Sequence, residues 1–196
     1  MLTAALMAGC SSHDDAPGST PDGVARPTAA KPPPCASSLL RAEGYYERAS
    51  GSVFGYVVVW NSSDGACAIA GGRPLVRARE GARDVRLETG NPRLFDVRSP
   101  ARIVLAPGRP RQVYGKGPRG AGFYLEWFAS CVDARAVTLS VLLPGLDTPV
   151  PLAGGEKPVL PSCYAGATAD RLPASKRRTV IAVSDLIPRL ERYSPF

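Results

Sequence analysis

The fold class is decided by the stretch from Val137 to Gly145, which reads VTLSVLLPG. Apolar side chains occupy every second position as far as Leu143, with Thr, Ser and Leu between them. A period of two is that of a β-strand with one buried face, and the Pro144-Gly145 pair that follows is a turn signal. The stretch therefore predicts a half-buried strand that ends in a turn.

Two other stretches carry a similar signal. Tyr56–Trp60 is β-branched and aromatic throughout, which is typical of a central strand, and it runs into the turn cluster NSSDG at 61–65. In the stretch from Phe123 to Trp127, the side chains of Phe123, Leu125 and Trp127 share one face, and Glu126 points away from that face. We therefore expect Trp127 in the core and Glu126 in solvent.

The remaining strands are short. Leu75–Arg79 and Asp84–Leu87 flank Gly81 and predict a hairpin, and strands are also expected at Arg102–Leu105 and Val180–Val183. No stretch shows a sustained helical period. Short strands at turn-punctuated spacing predict an all-β fold, an antiparallel β-sandwich.

Composition fits one globular domain with many turns. The chain has 196 residues, 44% hydrophobic and 21% charged, with 20 Gly and 20 Pro. These hydrophobic and charged fractions are near the globular average, so a packed core is expected.

The N-terminus predicts a lipid anchor. Residues 1–10 read MLTAALMAGC, and small residues precede Cys10 as in a bacterial lipobox, where the cysteine thiol is acylated. A complete signal peptide has basic residues before its apolar stretch, and none precedes Cys10, so we expect the start codon to lie upstream. The alternative is a small-residue N-terminus with an unrelated cysteine.

Residues 11–34 are expected to form a disordered tether. The segment has no Phe, Trp or Tyr, and Val24 is its single branched aliphatic residue, so it cannot bury enough apolar surface to offset its ordering entropy. A chain of this length spans about 25–30 Å. No apolar run approaches the roughly 18 residues of a membrane span, so the chain is expected to be anchored to a membrane and not inserted through it. Together with the lipobox, this predicts an extracytoplasmic protein that is lipid-anchored to a bacterial membrane.

The four other cysteines predict two disulfides within the domain 35–196. Cys35 and Cys67 are 32 positions apart, as are Cys131 and Cys163, and these equal gaps favour those two pairs among the three connectivities that four cysteines allow. Zinc binding and free thiols are the alternatives, but common zinc sites need close Cys or His pairs.

The order of these signals resembles the four-cysteine domain of bacterial envelope lipoproteins, a family known as a domain of unknown function. The resemblance covers Cys35 to Val183, and the Gly-Tyr-Pro usual in that family is Gly72-Arg73-Pro74 here. It implies an immunoglobulin-like β-sandwich outside the cytoplasm and carries no catalytic residue. The signals that match, in chain order, are Cys35, Asn61 at a strand end, Cys67, Val104-Leu105-Ala106-Pro107-Gly108, Trp127 before Cys131, Leu143-Pro144-Gly145 and Cys163.

Catalysis is not expected, nor is a metal or cofactor. The single histidine, His13, lies in the predicted tether, which argues against Ser-His-Asp and Cys-His mechanisms. Asp96, Glu126 and Asp133 are the nearest carboxylates for glycoside chemistry, and each is more simply a solvated strand residue.

Two further features also have simpler interpretations. The glycine-rich basic run 115–122 is followed by a strand rather than the helix of a phosphate loop. Trp60 and Trp127 could stack on sugars, but their apolar strands favour the core.

Positive charge is concentrated in one part of the chain. The whole sequence has a net charge of +7, and residues 73–119 contain 12 basic and four acidic residues. The hairpin contributes Arg77, Arg79, Arg83 and Arg86, of which Arg77 and Arg79 share a strand face. Such a surface would attract an anionic envelope polymer or lipid headgroup, and the alternative is a solubilising coat.

Two functions are consistent with the sequence. The first is a non-catalytic binding or structural module of the cell envelope. The second is a carboxylate-dependent enzyme acting on envelope polysaccharide. Nucleic acid is not an expected partner outside the cytoplasm, and the sequence leaves the oligomeric state open.

Overall fold

The computed structural model describes residues 30–49, 52–90, 97–110, 120–128, 134–154, 159–161 and 179–190. The chain divides into two compact units, Met1–Ala30 and Lys31–Phe196. The described part of the second unit consists of strands and one short 3-10 turn, Ser37–Leu39. The predicted all-β class is confirmed. The strands are β1 Leu40–Ala49, β2 Ser52–Asn61, β3 Cys67–Ala70, β4 Leu75–Glu80, β5 Arg83–Val85, β6 Leu87–Gly90, β7 Arg102–Leu105, β8 Gly120–Phe128, β9 Ala134–Ala136, β10 Thr138–Leu142, β11 Val150–Ala153, β12 Val159–Pro161 and β13 Thr179–Val183.

Nine of these strands form one sheet in the order β5-β4-β10-β11-β1-β2-β8-β13-β6. β2 is paired antiparallel along its length with β1 on one side and with β8 on the other. Its Tyr56–Trp60 run suits this position, because β-branched and aromatic side chains fit a pleated surface that is covered by neighbours. The predicted central strand is confirmed.

The two edges of this sheet are adjacent in the chain. β5 ends at Val85 and β6 begins at Leu87, with Arg86 alone between them. The sheet therefore curls until it is nearly barrel-like.

The sheet is also mixed, because β1 pairs with β11, and β13 with β6, in parallel. The prediction of an antiparallel arrangement is wrong at these two pairs. Parallel partners are joined by long crossover connections, and the local turn signals of the sequence do not encode them.

The core lies on the inner face of the curled sheet. Alternate residues of β4, β8 and β10 point into it, so the predicted core positions of the Val137–Leu143 stretch, and Trp127, are confirmed. Tyr46 lies edge-on to Trp127, with ring centroids 5.5 Å apart, and its ring occupies the space beside Gly44 and Gly55 where a Cβ would stand. Burial raises the pKa of the Tyr46 hydroxyl.

A two-stranded ribbon of β3 and β7 covers another side of this core. Cys67 lies opposite Leu105, and the buried side chains of Ile69 and Ile103 belong to the same core as the sheet. Cys35 is bonded to Cys67, with Cα atoms 4.9 Å apart. The predicted Cys35–Cys67 pair is confirmed.

The end of the predicted tether contacts this ribbon. The Ala68 amide donates a hydrogen bond to the Pro33 carbonyl at 2.8 Å, and the Cys35 amide donates to the Ala68 carbonyl at 2.9 Å. The Arg102 guanidinium also donates to the Pro32 carbonyl. The ordered domain therefore extends at least three residues before Cys35.

A second apolar cluster lies on the outer face of the sheet, where Val58, Tyr124, Ile187 and Leu190 are buried together. The chain after β13 crosses this face, and Gly122 and Ile187 exchange backbone hydrogen bonds of 2.8 Å. A Cβ on Gly122 would collide with Leu190, which is why glycine suits this crossing.

Glu126 lies on the same outer face of β8 and is 6% exposed. The prediction that it points into solvent is wrong. β8 has β2 on one side and β13 on the other, so Phe54 and Ala182 stand beside Glu126 in the register, and this part of the outer face is not open to water.

Candidate anion-binding face

The arginines of β4 lie on the outer face of the sheet. Arg77 and Arg79 are exposed, while the intervening Val76 and Ala78 are each 2% exposed. This alternation is what a half-buried strand requires. Both guanidinium groups therefore project from the same side, as the sequence predicts for these two residues.

Arg79 is partly neutralised across the hairpin. Its Nε lies 3.1 Å from Oδ1 of Asp84, the residue opposite it in β5. A second nitrogen donates to the Ala82 carbonyl at 3.0 Å. Arg79 thus closes the turn around Gly81, which has a φ of 58°, and contributes little net charge to the face.

Arg86 and Arg83 lie at positions that belong to opposite faces of the hairpin. Val85 and Leu87 both pack against the core, so Arg86, between them, points outward. The register that pairs Ala78 with Val85 places Arg86 across from Arg77 when continued by one residue. Neither Arg77 nor Arg86 has an acidic partner among the described residues.

Arg83 lies opposite Glu80 and so falls on the alternate positions of the hairpin. The register, continued by one residue to Arg86, therefore groups Arg86 with Arg77 and Arg79, and it sets Arg83 apart.

Between the hairpin and β1, the outer face of the sheet carries two short side chains, Ser140 and Pro151. Arg77 lies opposite Ser140 of β10, and Ser140 lies opposite Pro151 of β11. Pro151 and Arg41 both come one residue before the parallel pair of Leu152 with Ala42. One line across the strands thus runs Arg86, Arg77, Ser140, Pro151, Arg41, and we call it the arginine row.

Arg41 at the end of this row is held in place without losing its charge. Its Nη1 donates to the carbonyls of Ser38 and Leu40, each at 2.8 Å, and the side chain is exposed. Neither acceptor carries a formal charge, so the guanidinium stays a net cation fixed at the surface.

A cluster that sequence reasoning missed lies beside Arg41. Glu43 forms an ion pair with Arg109, a residue from the segment after β7, and Arg109 also lies 3.4 Å from the Tyr45 hydroxyl and 5.4 Å from the centre of the Trp60 ring. We call these four residues the Glu43 cluster. Burial raises the pKa of the Tyr45 hydroxyl. Its hydrogen bond with Arg109 lowers the pKa, its interaction with Glu43 raises it, and the pKa remains above its ordinary value.

Trp127 is buried in the main core, as predicted, but the prediction of a core position is wrong for Trp60, which packs partly buried against the second apolar cluster on the outer face. The alternation of side chains along β2 could have shown this. Trp60 lies on the same face of the strand as Tyr56 and Val58, and on the opposite face from the core residues Val57 and Val59. The position of Arg109 beside Glu43 could not be predicted in this way, because it depends on how segments far apart in the sequence lie next to each other.

Several predicted residues lie outside the described ranges. They are Cys10, His13, Asp96, Asp133, Cys131 and Cys163. Glu126 is the one member of the predicted carboxylate set that the structure describes. Within the described ranges no group of three or more His, Cys, Asp or Glu side chains could hold a metal ion.

The part of the chain described here also contains no helix with the length and apolar character needed to cross a membrane. Searches for similar proteins find no match among family models, curated proteins or solved structures.

Proposed function

We propose that this chain is an extracytoplasmic lipoprotein of a bacterial cell envelope, whose β domain is a non-catalytic module that binds an anionic envelope ligand. The observation that carries the binding proposal is the pair Arg77 and Arg86. Both project from one exposed face without an acidic partner in the described chain. Uncompensated cations on a fixed surface attract anions over a distance set by the ionic strength.

The anchor in this proposal is an acylated Cys10. Support comes from the small residues before it and the apolar-poor segment after it. Intact-mass spectrometry of the protein from native membranes should show a chain that begins at Cys10 with a diacylglyceryl adduct. A chain that retains residues before an unmodified Cys10 would contradict the anchor and leave the binding proposal standing.

A second disulfide, Cys131–Cys163, is part of the proposal. β9 and β12 pair antiparallel, with Ala134 opposite Pro161. Cys131 comes three residues before Ala134, and Cys163 comes two residues after Pro161. The stretches of sequence that lead to the two cysteines therefore begin at residues that are paired with each other, which supports a bond between them.

The finer fold assignment is also a proposal. We propose an immunoglobulin-like sandwich, in which the β3–β7 ribbon belongs to the layer facing β1, β2 and β8. Support comes from the shared core, because Ile69 and Ile103 of the ribbon pack in one cluster with Val57 and Phe123 of the sheet.

Binding is tested with the full-length chain carrying Cys10→Ala, which cannot be acylated. Its binding to immobilised polygalacturonate, an acidic polysaccharide, is compared with its binding to neutral dextran. We expect saturable binding to the acidic probe that weakens steeply between low salt and 1 M salt, where the Debye length falls to about 3 Å. Equal retention on both probes, or on neither, would contradict the proposal.

A further inference from the structure

We propose that the arginine row is the track for one extended acidic polysaccharide chain, which crosses the strands from the hairpin to β1. This inference rests on the proposed function and deepens it, because it names the class of anionic ligand and adds Arg41 as a contact. The row is assembled by the registers of β4, β10, β11 and β1.

The arginines of the row differ from the other arginines nearby because they are not paired with a carboxylate among the described residues. Arg79 is paired with Asp84, and Arg109 is paired with Glu43, so the positions two residues further along β4 and β1 are close to neutral. Arg86, Arg77 and Arg41 have no such partner in the described part of the chain. Among the described side chains on the outer face of the hairpin and of β1, the uncompensated positive charges therefore lie on one line across the sheet.

The spacing of the cations excludes a single small anion as the ligand for the whole row. Arg77 and Arg41 are separated by three strand spacings, or about 14 Å along the sheet. A phosphate or carboxylate group reaches one guanidinium or two adjacent ones, but not both ends of such a span. A polymer with repeated charges can contact all three, and each further contact is then intramolecular.

The floor of the row fits a sugar chain better than a lipid surface. Ser140 and Pro151 lie between the cations, and their short side chains let a ligand approach the strands. Membrane-surface segments instead place large apolar side chains between their basic residues, whereas the exposed Leu75 of this face lies beside the row and not between its cations. The Ser140 hydroxyl can donate and accept hydrogen bonds, as recognition of sugar hydroxyls requires.

The test measures the dependence of binding on ligand length, with the full-length Cys10→Ala chain and oligogalacturonates of two and eight units. We expect the octamer to bind at least about tenfold more tightly than the dimer, because it alone spans the row. Arg41→Glu should bring the two ligands to within about twofold of each other. Arg41→Lys, which keeps the charge, should restore most of the difference.

Arg83→Glu is the matched control, since it makes the same charge change on the alternate positions of the hairpin. It should leave octamer affinity within about twofold of the parent. The row is overturned if Arg41→Glu and Arg83→Glu behave alike, or if dimer and octamer bind the parent equally. Tighter binding to vesicles with about 30 mol% anionic lipid than to the octamer, at matched charge concentration, would also overturn the row in favour of a lipid ligand. If the parent binds no acidic probe, the proposed function itself fails.

Discussion

Arg79 and Asp84 lie opposite each other across the β4–β5 hairpin, with Nε and Oδ1 3.1 Å apart. This ion pair determines which hairpin arginines can attract a ligand. It removes Arg79 from the set of uncompensated cations, although the sequence alone groups Arg79 with Arg77.

Asp84→Asn should strengthen binding to acidic polysaccharide. The substitution releases the charge of Arg79 onto the face that carries Arg77, and an exposed charge interaction of roughly 0.2–1 kcal/mol corresponds to about a 1.5- to fivefold gain in affinity. Stability should change by less than about 1 kcal/mol, because both side chains are largely exposed. Calorimetric titration and thermal unfolding measure the two effects. Unchanged or weaker binding would mean that Arg79 does not face the ligand.

A strand could be predicted from the sequence where large apolar and polar residues alternate clearly along it. The Val137–Leu143 stretch and the Gly81 hairpin carry strong local signals, and both form, although the second strand of the hairpin ends at Val85 and not at the predicted Leu87. β1 was not predicted, although it is one of the longest strands in the described chain. Its inward positions include Ala42 and Gly44, and the ring of Tyr46 fills the space beside Gly44, so the strand shows little alternation of large apolar and polar residues.

The candidate site was only half predictable for a related reason. The outward direction of Arg77 follows from strand parity, which is local. The contributions of Arg41 and Arg109 depend on the pairing of β1 with β11 and on the position of the segment after β7. Such long-range registers have no signature in a single sequence, and neither does the burial of Glu126 between two neighbouring strands.

Cys67→Ala should destabilise the domain by about 2–5 kcal/mol, because it removes the bond that closes a 32-residue separation. The bond also holds Cys35 beside β3, where Ala68 binds the end of the predicted tether. Denaturant unfolding of the parent and the variant gives the difference in free energy. A loss below about 1 kcal/mol would show that backbone pairing alone secures this segment.

Tyr46→Phe should change the alkaline limit of stability. Burial raises the pKa of Tyr46 above its ordinary value of 10.0, so the unfolded state ionises first. The stability of the parent is therefore unaffected by this group below pH 10, and it falls by up to about 1.4 kcal/mol per pH unit above it. The phenylalanine variant has no hydroxyl at this position, so it lacks this loss of stability. Parallel stability–pH curves for the two proteins above pH 10 would contradict the buried position of the hydroxyl.

The proposed Cys131–Cys163 bond should appear in a non-reducing peptide map. The ends of β9 and β12 that lead to these cysteines are paired, and a loop of this size stabilises by roughly 3–4 kcal/mol in the chain-entropy model. We expect one linked peptide containing both residues, with the Cys35–Cys67 peptide as the internal control. Recovery of both peptides in alkylated form, without reduction, would show two free thiols.

The central claim is that uncompensated cations on one face of the sheet bind an anionic envelope ligand, and charge reversal tests it most directly. The affinity of the Cys10→Ala chain for polygalacturonate is measured at low salt for the parent, for Arg77→Glu with Arg86→Glu, and for the matched reversal Arg83→Glu. The account predicts that the double reversal lowers affinity by at least about tenfold, or 1.4 kcal/mol, without lowering thermal stability. It also predicts that Arg83→Glu changes affinity by less than about twofold. Parent-like affinity in the folded double variant would contradict the account.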